Sequence, residues 1–403
     1  MKYTKMKDWI RKLYLPVGIP LGLIIGIFLG YYFPDFALSL KWLGIFFMKS
    51  LKMIIIPLVM LSIMNGIGRI GNLQKLGKKG LFTFIYYTIT TAIAVIIGIT
   101  FTLLLGFGDT KPPLKEQKPK EVQLQITDIF LNMIPSNIFE SMANNEVLPV
   151  IVFSLLFGWA IALQGKRSEQ VFRIFFILEE AIIKIVHLIL WFAPIGILGL
   201  IASRIAEDGE QFIQELFLLQ YYARNVIIGL MIHGLLVLPL IYFIIVRKNP
   251  FIYIKQLGIA LGTAFSTASS SATLPVTMDC VENKAKIRSE TAGFVLPLGA
   301  TVNMDGTALY ESVAAIFIAY VANIPLDFYS MILIFLTSTL AAIGAAGIPE
   351  AGLVTMTIVL KAVGLPLEGI ALILSIDWFL DRCRTTINVL GDAIGAAIID
   401  KIT

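Results

Sequence analysis

Asp377, Asp381, Arg382 and Arg384 sit within an otherwise apolar stretch near the C-terminus, and Asn388 and Asp392 follow in the same stretch. A charged side chain near the middle of a bilayer costs roughly 2.5–3.5 kcal/mol on insertion scales. Such residues therefore face a protein interior and mark the path or the site of a charged solute. Asp377, Asp381, Arg384, Asn388 and Asp392 follow one another at steps of 4, 3, 4 and 4, which puts them on one face of a helix. Arg384 offers a planar fork matched to a carboxylate, and Asp381, nearly a turn earlier, suits an ammonium group. The pair reads as a receptor for a zwitterion with an additional acid. The plainer alternative is a mutual salt bridge that only neutralises two buried charges. Arg382, also beside Asp381, and the backbone amides of nearby chain breaks weigh against it.

A second constellation joins Asn303, Asp305, Asn388 and Asp392 with Tyr87, Thr90 and Thr91. Carboxylate, carboxamide, hydroxyl and main-chain carbonyl oxygens are ligands for a hard cation such as Na⁺, and a helix break at Asp305-Gly306 would free further carbonyls. By residue type alone, Tyr87, Thr90 and Thr91 are better explained as helix packing. No nucleophile–base pair, metal-ligand cluster or nucleotide loop stands out, so an enzyme is not expected, nor an organic cofactor.

These residues need a membrane to hold them. The chain has 403 residues, 57% hydrophobic and 15% charged, with a mean hydropathy of +0.85. That composition is of an integral membrane protein. The net charge of +5 arises from short basic loops: Lys2 to Lys12 before the first apolar run, Arg69 to Lys79, Lys166 to Arg173, and Arg247 to Lys255. They alternate with loops poor in positive charge, so the basic balance signals topology and not nucleic acid, and places the N-terminus in the cytoplasm. Cys280 and Cys383 are too few for a disulfide framework. His187 and His233, isolated on apolar faces, read as interior histidines. The run from Leu13 to Tyr32 has no small-residue cleavage site and reads as a retained span.

Six apolar segments are expected near residues 13–33, 41–67, 79–106, 128–164, 174–205 and 212–246, the fourth broken at Pro135 and Asn144-Asn145. Beyond residue 250 the apolar runs are interrupted by small and helix-breaking residues, Ser266 to Pro275 and Gly344 to Gly352. Proline and glycine there argue against a continuous helix, and irregular backbone at membrane depth survives only inside protein or along a cavity. Both read as tips of re-entrant hairpins. Each precedes a span with its own polar break, Asn303 to Thr307 and Asn388 to Asp392. Paired interruptions of this kind point to inverted repeats around a midplane transport site. Residues 1–250 thus hold six spans, and 251–403 a core of hairpin, span, hairpin, span.

Ser269-Ser-Ser-Ala-Thr-Leu-Pro275, Asn303-Met-Asp-Gly-Thr307, Gly347-Ile-Pro-Glu-Ala-Gly352 and Asp377-Trp-Phe-Leu-Asp-Arg-Cys-Arg-Thr-Thr386 resemble the dicarboxylate/amino acid:cation symporter family, which includes the excitatory glutamate transporters and archaeal aspartate transporters. The resemblance runs along essentially the whole chain and is strongest from Leu261 to Ala397. It implies an all-α membrane fold of eight spans and two re-entrant hairpins, assembled as a homotrimer in the plasma (inner) membrane with both termini cytoplasmic. Spans 1, 2, 4 and 5 would be a scaffold; the rest would move as an elevator. By matched position, Arg384 would bind the substrate side-chain carboxylate and Asp381 its amine. Asn388, Thr385, Thr307, Met304 and the backbone near Ser270 and Ile348 would complete the site. Sodium would meet Gly299, Asn303, Asn388 and Asp392 at one site, Tyr87, Thr90, Thr91, Asn303 and Asp305 at another, and Thr301 with the carbonyls of Ala342, Ile343 and Ala345 at a third.

Having both Arg384 and Asp381 favours glutamate or aspartate over the neutral amino acids or C4-dicarboxylates carried by relatives that lack one of them. A substrate-gated anion channel is the reading from another class. Glu311 matches an acid linked in animal-type members to H⁺ co-transport and K⁺ counter-transport. Arg382, with uncharged Ala268 on the first tip, fits the same subgroup. Glu350 departs from the family pattern and puts an acid on the gate, where with Arg382 it would modulate substrate entry.

Overall fold

The computed structural model describes residues 2–71, 78–108, 134–144, 146–344 and 351–403, and every regular element among them is helical. The N-terminal part comprises α1 (Lys2–Tyr32), α2 (Pro34–Ser39), α3 (Lys41–Gly71) and α4 (Lys78–Leu105). Next come α5 (Ile138–Ala143), α6 (Val147–Ala162), α7 (Ser168–Trp191), α8 (Ala193–Asp208) and α9 (Glu210–Ile232). A π turn, His233–Val237, joins α9 to α10 (Leu238–Val246). The rest is α11 (Pro250–Gln256), α12 (Gly258–Thr267), α13 (Ser270–Asp279), α14 (Ser289–Val302), α15 (Asp305–Val321), α16 (Phe328–Gly344), α17 (Ala351–Ala362) and α18 (Ile370–Ile402).

Short polar side chains begin several of these helices. Asn137, Asn249 and Ser269 each accept a hydrogen bond from a first-turn amide, meeting donors that a helix start leaves without partners. Asp327 does the same ahead of α16, and the Ser330 amide and hydroxyl hold its carboxyl below the usual carboxylate range.

Two packing groups emerge. In the first, α1 lies along α8, and α3 packs on α6, α7 and α8. Gly22, Gly26 and Gly30 bring α1 onto the α8 backbone, since a methyl at position 30 would lie 2.7 Å from the Ala202 carbonyl oxygen. Small residues allow such contact in lipid, where apolar burial alone gives helices no reason to associate. In the second, α15 is surrounded by α4, α9, α16, α17 and α18, while α18 also meets α10, α12, α13 and α14. Large apolar residues such as Leu104, Leu188 and Phe243 are exposed while Asp305, Asp381 and Arg384 are buried. That is the reverse of a water-soluble chain. Lys78–Leu105, Gln214–Val246 and Ser289–Val321 are long and apolar enough to cross a membrane; Pro149–Ala162 with Gly165–Val186, bent by 118°, makes a fourth if taken together.

Several expectations need correction. The segment expected at 174–205 is two helices meeting at Phe192, because Pro194 belongs in the first turn of a new helix. The fourth segment is broken as expected, with Asn144 ending α5. The chain turns between α12 and α13 at Ala268, which has φ +51° and lies in the expected Ser266–Pro275 stretch, and Ser269 starts α13; Pro275, however, lies inside α13 and does not make the break. The break between α14 and α15 lies within the expected Asn303–Thr307 stretch but at Asn303 and Met304; Asp305-Gly306, expected to break the helix, begins α15 instead. α18, however, runs unbroken through Asn388–Asp392. Gly391 alone weakens a helix by only about 1 kcal/mol, too little to interrupt it. The second tip, residues 345–350, lies outside the described residues; its flanking helices α16 and α17 pack on each other.

Helices α4 and α15 touch at backbone distance, since a methyl on Gly98 would lie 2.9 Å from the Leu309 carbonyl oxygen and collide with the Ser312 hydroxyl. Gly98→Val is therefore expected to cost about 1–3 kcal/mol, seen as an earlier unfolding midpoint in detergent. Gly262→Ala, where a methyl has nothing within 4 Å, does not lower the midpoint and raises it slightly, since alanine favours a helix interior over glycine.

Candidate functional site

Arg384 is the largest fully buried side chain of the described residues. Its Nε donates to Asp381 Oδ1 at 2.9 Å, Nη1 to Asp377 Oδ1 at 3.1 Å and Nη2 to Asp377 Oδ2 at 3.5 Å. The face of the Tyr310 ring lies 4.2 Å from the guanidinium carbon, a favourable cation–π placement. Two glycines from other helices close on the same residue. A methyl at Gly306 would lie 2.8 Å from the Arg384 Cα, and one at Gly352 would lie 2.8 Å from its guanidinium carbon. α15 thus rests against the Arg384 backbone and α17 against its charged head.

Asn388, one helical turn beyond Arg384, bridges the α14–α15 break. Its Oδ1 accepts the Gly306 amide at 2.7 Å, and its Nδ2 reaches Met304 Sδ at 3.2 Å and Thr307 Oγ1 at 3.3 Å. Thr385 is buried beside Arg384, and Ser270 is buried in the first turn of α13, which packs on α18.

The second constellation also assembles. Asp305 Oδ1 accepts from Thr91 at 2.7 Å and Thr90 at 3.3 Å, Asn303 Nδ2 donates to Asp392 Oδ1 at 2.9 Å, and the Thr90 hydroxyl lies 3.5 Å from Asn303 Oδ1. Thr90 and Thr91 therefore do more than pack. Gly299 lies against Asp392 and the Tyr87 hydroxyl, which donates to the Val295 carbonyl. Thr301 bonds the Leu298 carbonyl, and Ala342 and Ile343 lie in the last turn of α16, where carbonyls lack helical partners. Ala345, Ile348 and Glu350 lie outside the described residues. Among those described, no three His, Cys, Asp or Glu side chains gather to hold a metal ion. The oxygens that do converge are mostly hydroxyl, carboxamide and carboxylate, the chemistry of hard cations.

Glu311 is fully buried on α15; the Thr355 hydroxyl of α17 donates to its Oε1, and its Oε2 has no hydrogen-bond partner. Arg382 is half-buried, and it is Arg384 that takes Asp381.

The simple salt bridge is thus present, but as a triad with Asp377. Helical spacing had put Asp377 on the Arg384 face without giving it a role. Tyr310 and Thr355 carried no spacing signal at all. His233 corrects an expectation: it is interior but not isolated, for its Nε2 lies 3.0 Å from Asp305 Oδ2.

The sequence profile of the sodium:dicarboxylate symporter family matches residues 15–402. The chain belongs to that family. Excitatory amino acid transporter 1 of Ambystoma tigrinum is 41% identical over 417 residues, covering 89% of this chain and 76% of the relative. Excitatory amino acid transporter 3 of Mus musculus is 40% identical over 415 residues, covering 89% and 78%. An excitatory amino acid transporter of Caenorhabditis elegans is 37% identical over 449 residues, covering 98% and 88%.

In this sodium:dicarboxylate symporter family member the triad carries an excess of negative charge, which makes its members unequal. Arg384→Leu leaves two facing carboxylates without a cation and is expected to cost roughly 3–5 kcal/mol, as for breaking a buried ion pair. Asp377→Asn costs less, because Asp381 still balances the guanidinium. Adding Asp377→Asn to Arg384→Leu should recover about 1 kcal/mol or more, measured by denaturant titration in detergent.

Proposed function

We propose that this chain is a sodium-coupled symporter of L-glutamate and L-aspartate. The observation that carries the reading is the buried Arg384 guanidinium, flanked by two acids and capped by Gly352, beside a separate cluster of cation-ligating oxygens. A side-chain carboxylate of the substrate takes both Nη groups of Arg384, so Asp377 gives up its contact. The substrate amine takes Asp381. Asn388, Thr385, Thr307 and Met304 line the space, and backbone near Ser270 and Ile348 closes it.

Sodium coupling follows from charge. An anionic substrate added to a triad that is already negative requires cations at low dielectric. Gly299, Asn303, Asn388 and Asp392 hold one Na⁺, Tyr87, Thr90, Thr91, Asn303 and Asp305 a second, and Thr301, Ala342, Ile343 and Ala345 a third. Each net positive charge entering a negative cell gains roughly 2.3 kcal/mol per 100 mV, which drives accumulation. Glu311 carries a proton inward and K⁺ returns: its Oε2 lacks a partner, and its bond to Thr355 links its state to α17, an arm of the second hairpin. Arg382 and Glu350 modulate that gate.

Eight spans and two re-entrant hairpins, α12–α13 and α16–α17, make up the proposed membrane fold, in a plasma membrane with cytoplasmic termini. The packing group of α1, α3 and α6 to α8 serves as the trimeric scaffold, and the group around α15 and α18 moves as the elevator. Relatives named as excitatory amino acid transporters support this reading.

Uptake of labelled L-aspartate and L-glutamate into proteoliposomes, with Na⁺, K⁺ and pH gradients set independently, tests it. Wild-type accumulation requires inward Na⁺. Arg384→Lys keeps the charge but loses the bidentate fork, and uptake efficiency is expected to fall about 30-fold or more, the scale of a buried charge pair losing a partner. Arg384→Cys should lose its preference for acidic over neutral amino acids; a retained preference overturns the substrate assignment. Glu311→Gln should abolish the dependence on pH and internal K⁺, and unchanged dependence removes the proton role.

A further inference from the structure

His233 is a polar ring set in an apolar span, Gln214–Val246, and it is fully buried. Burying an imidazole there is unfavourable unless it has a partner. Only one of its nitrogens has one: Nε2 is 3.0 Å from Asp305 Oδ2, while Nδ1 is buried with no hydrogen-bond partner. A carboxylate that ligates a cation only accepts, so in the cation-bound state Nε2 is the donor. Folding alone would favour an apolar residue of the same size. The ring is placed for its single contact.

The backbone fixes that contact. His233 opens the π turn, its carbonyl accepting the Leu238 amide five residues on, and Pro239 follows in the first turn of α10. Proline offers no amide and crowds the carbonyl four residues earlier, a conflict that the wider turn relieves; such turns recur at functional sites. Gly234 brings the turn against Ile387 of α18. Thr91 and Thr90 on α4 hold Asp305 Oδ1, and His233 holds Oδ2. A carboxylate has about four lone-pair positions. Thr91 and His233 take one on each oxygen, and the single Thr90 hydrogen is shared with the Tyr87 carbonyl at 3.2 Å, so the plane of Asp305 is set while lone pairs remain for a cation.

We infer that His233 is a positioning residue for cation binding at Asp305, setting the plane of that carboxylate from the π turn. The inference deepens the sodium assignment in the proposed function and rests on it. Loss of the partner that orients a metal-ligating group lowers affinity about 10–100-fold.

The test uses the full chain with His233→Leu, which removes the donor, and His233→Gln, which returns an N–H near the Nε2 position. Thermal stability of purified protein is titrated with NaCl against choline chloride. Uptake in proteoliposomes is titrated with Na⁺ at saturating substrate. His233→Leu is expected to raise the Na⁺ midpoint about tenfold or more in both assays, with the maximal rate at saturating Na⁺ close to wild type. His233→Gln recovers most of that shift. If the leucine variant does not fold, His233→Asn, whose shorter amide falls away from Asp305, takes its place with the same expected shift. An unchanged midpoint overturns the inference. So does a lower maximal rate, equal in the leucine and glutamine variants, without a midpoint shift. If Na⁺ stabilises the wild-type protein but uptake needs no Na⁺ gradient, the symport reading fails while the thermal titrations still decide the role of His233.

Discussion

Asp305, Glu311, Asp377, Asp381 and Asp392 are all buried, and among the described residues the one fully buried guanidinium is that of Arg384. No arrangement of one fixed cation neutralises so many acids in a medium of low dielectric, and leaving them charged is far costlier than in water. The rest are met by protonation or by cations from outside the chain. Membership of the sodium:dicarboxylate symporter family makes sodium the natural cation, and the proposed cycle is a sequence of ways to meet this one imbalance. With the acids paired to cations and substrate the group can be enclosed; with cations lost it has to reorganise. Coupling on this view is a condition for burying the site, and needs no separate device.

The helices around the site are arranged to bring acids and oxygens to it without leaving their own backbone unpaired. The α14–α15 break exposes the Gly306 amide, and Asn388 answers it from α18 while reaching Thr307 and Met304. One carboxamide therefore connects a broken helix to the helix that carries Arg384. Asn303 makes a similar link to Asp392. Side chains from α18 thus tie both edges of the α14–α15 break to one helix.

Much of this was legible in the sequence because helical spacing is a strong signal. The steps from Asp377 to Asp392 named the correct face of α18, and Asn303-Met304 marked a true break. The errors came where a local rule met tertiary packing. Pro275 and Gly391 look like breakers, yet both lie inside helices held by their neighbours, while the turn falls at Ala268, within the expected Ser266–Pro275 stretch. Contacts between distant segments left no trace in spacing. Nothing in the order of residues brings Thr355 to Glu311, lays Tyr310 over Arg384 or brings His233 to Asp305. Long-range pairs of single residues are what a period of 3.6 cannot report.

The joint at Gly98 bears on which parts of the molecule can slide. Where two helices meet with main chain against main chain, neither can glide past the other without tearing the contact, so α4 and α15 behave as one rigid strut. α4 comes early in the chain, among helices of the other packing group. If the site travels across the bilayer, α4 must ride with it, and the strain of that journey falls on the segments that tie α4 to its sequence neighbours.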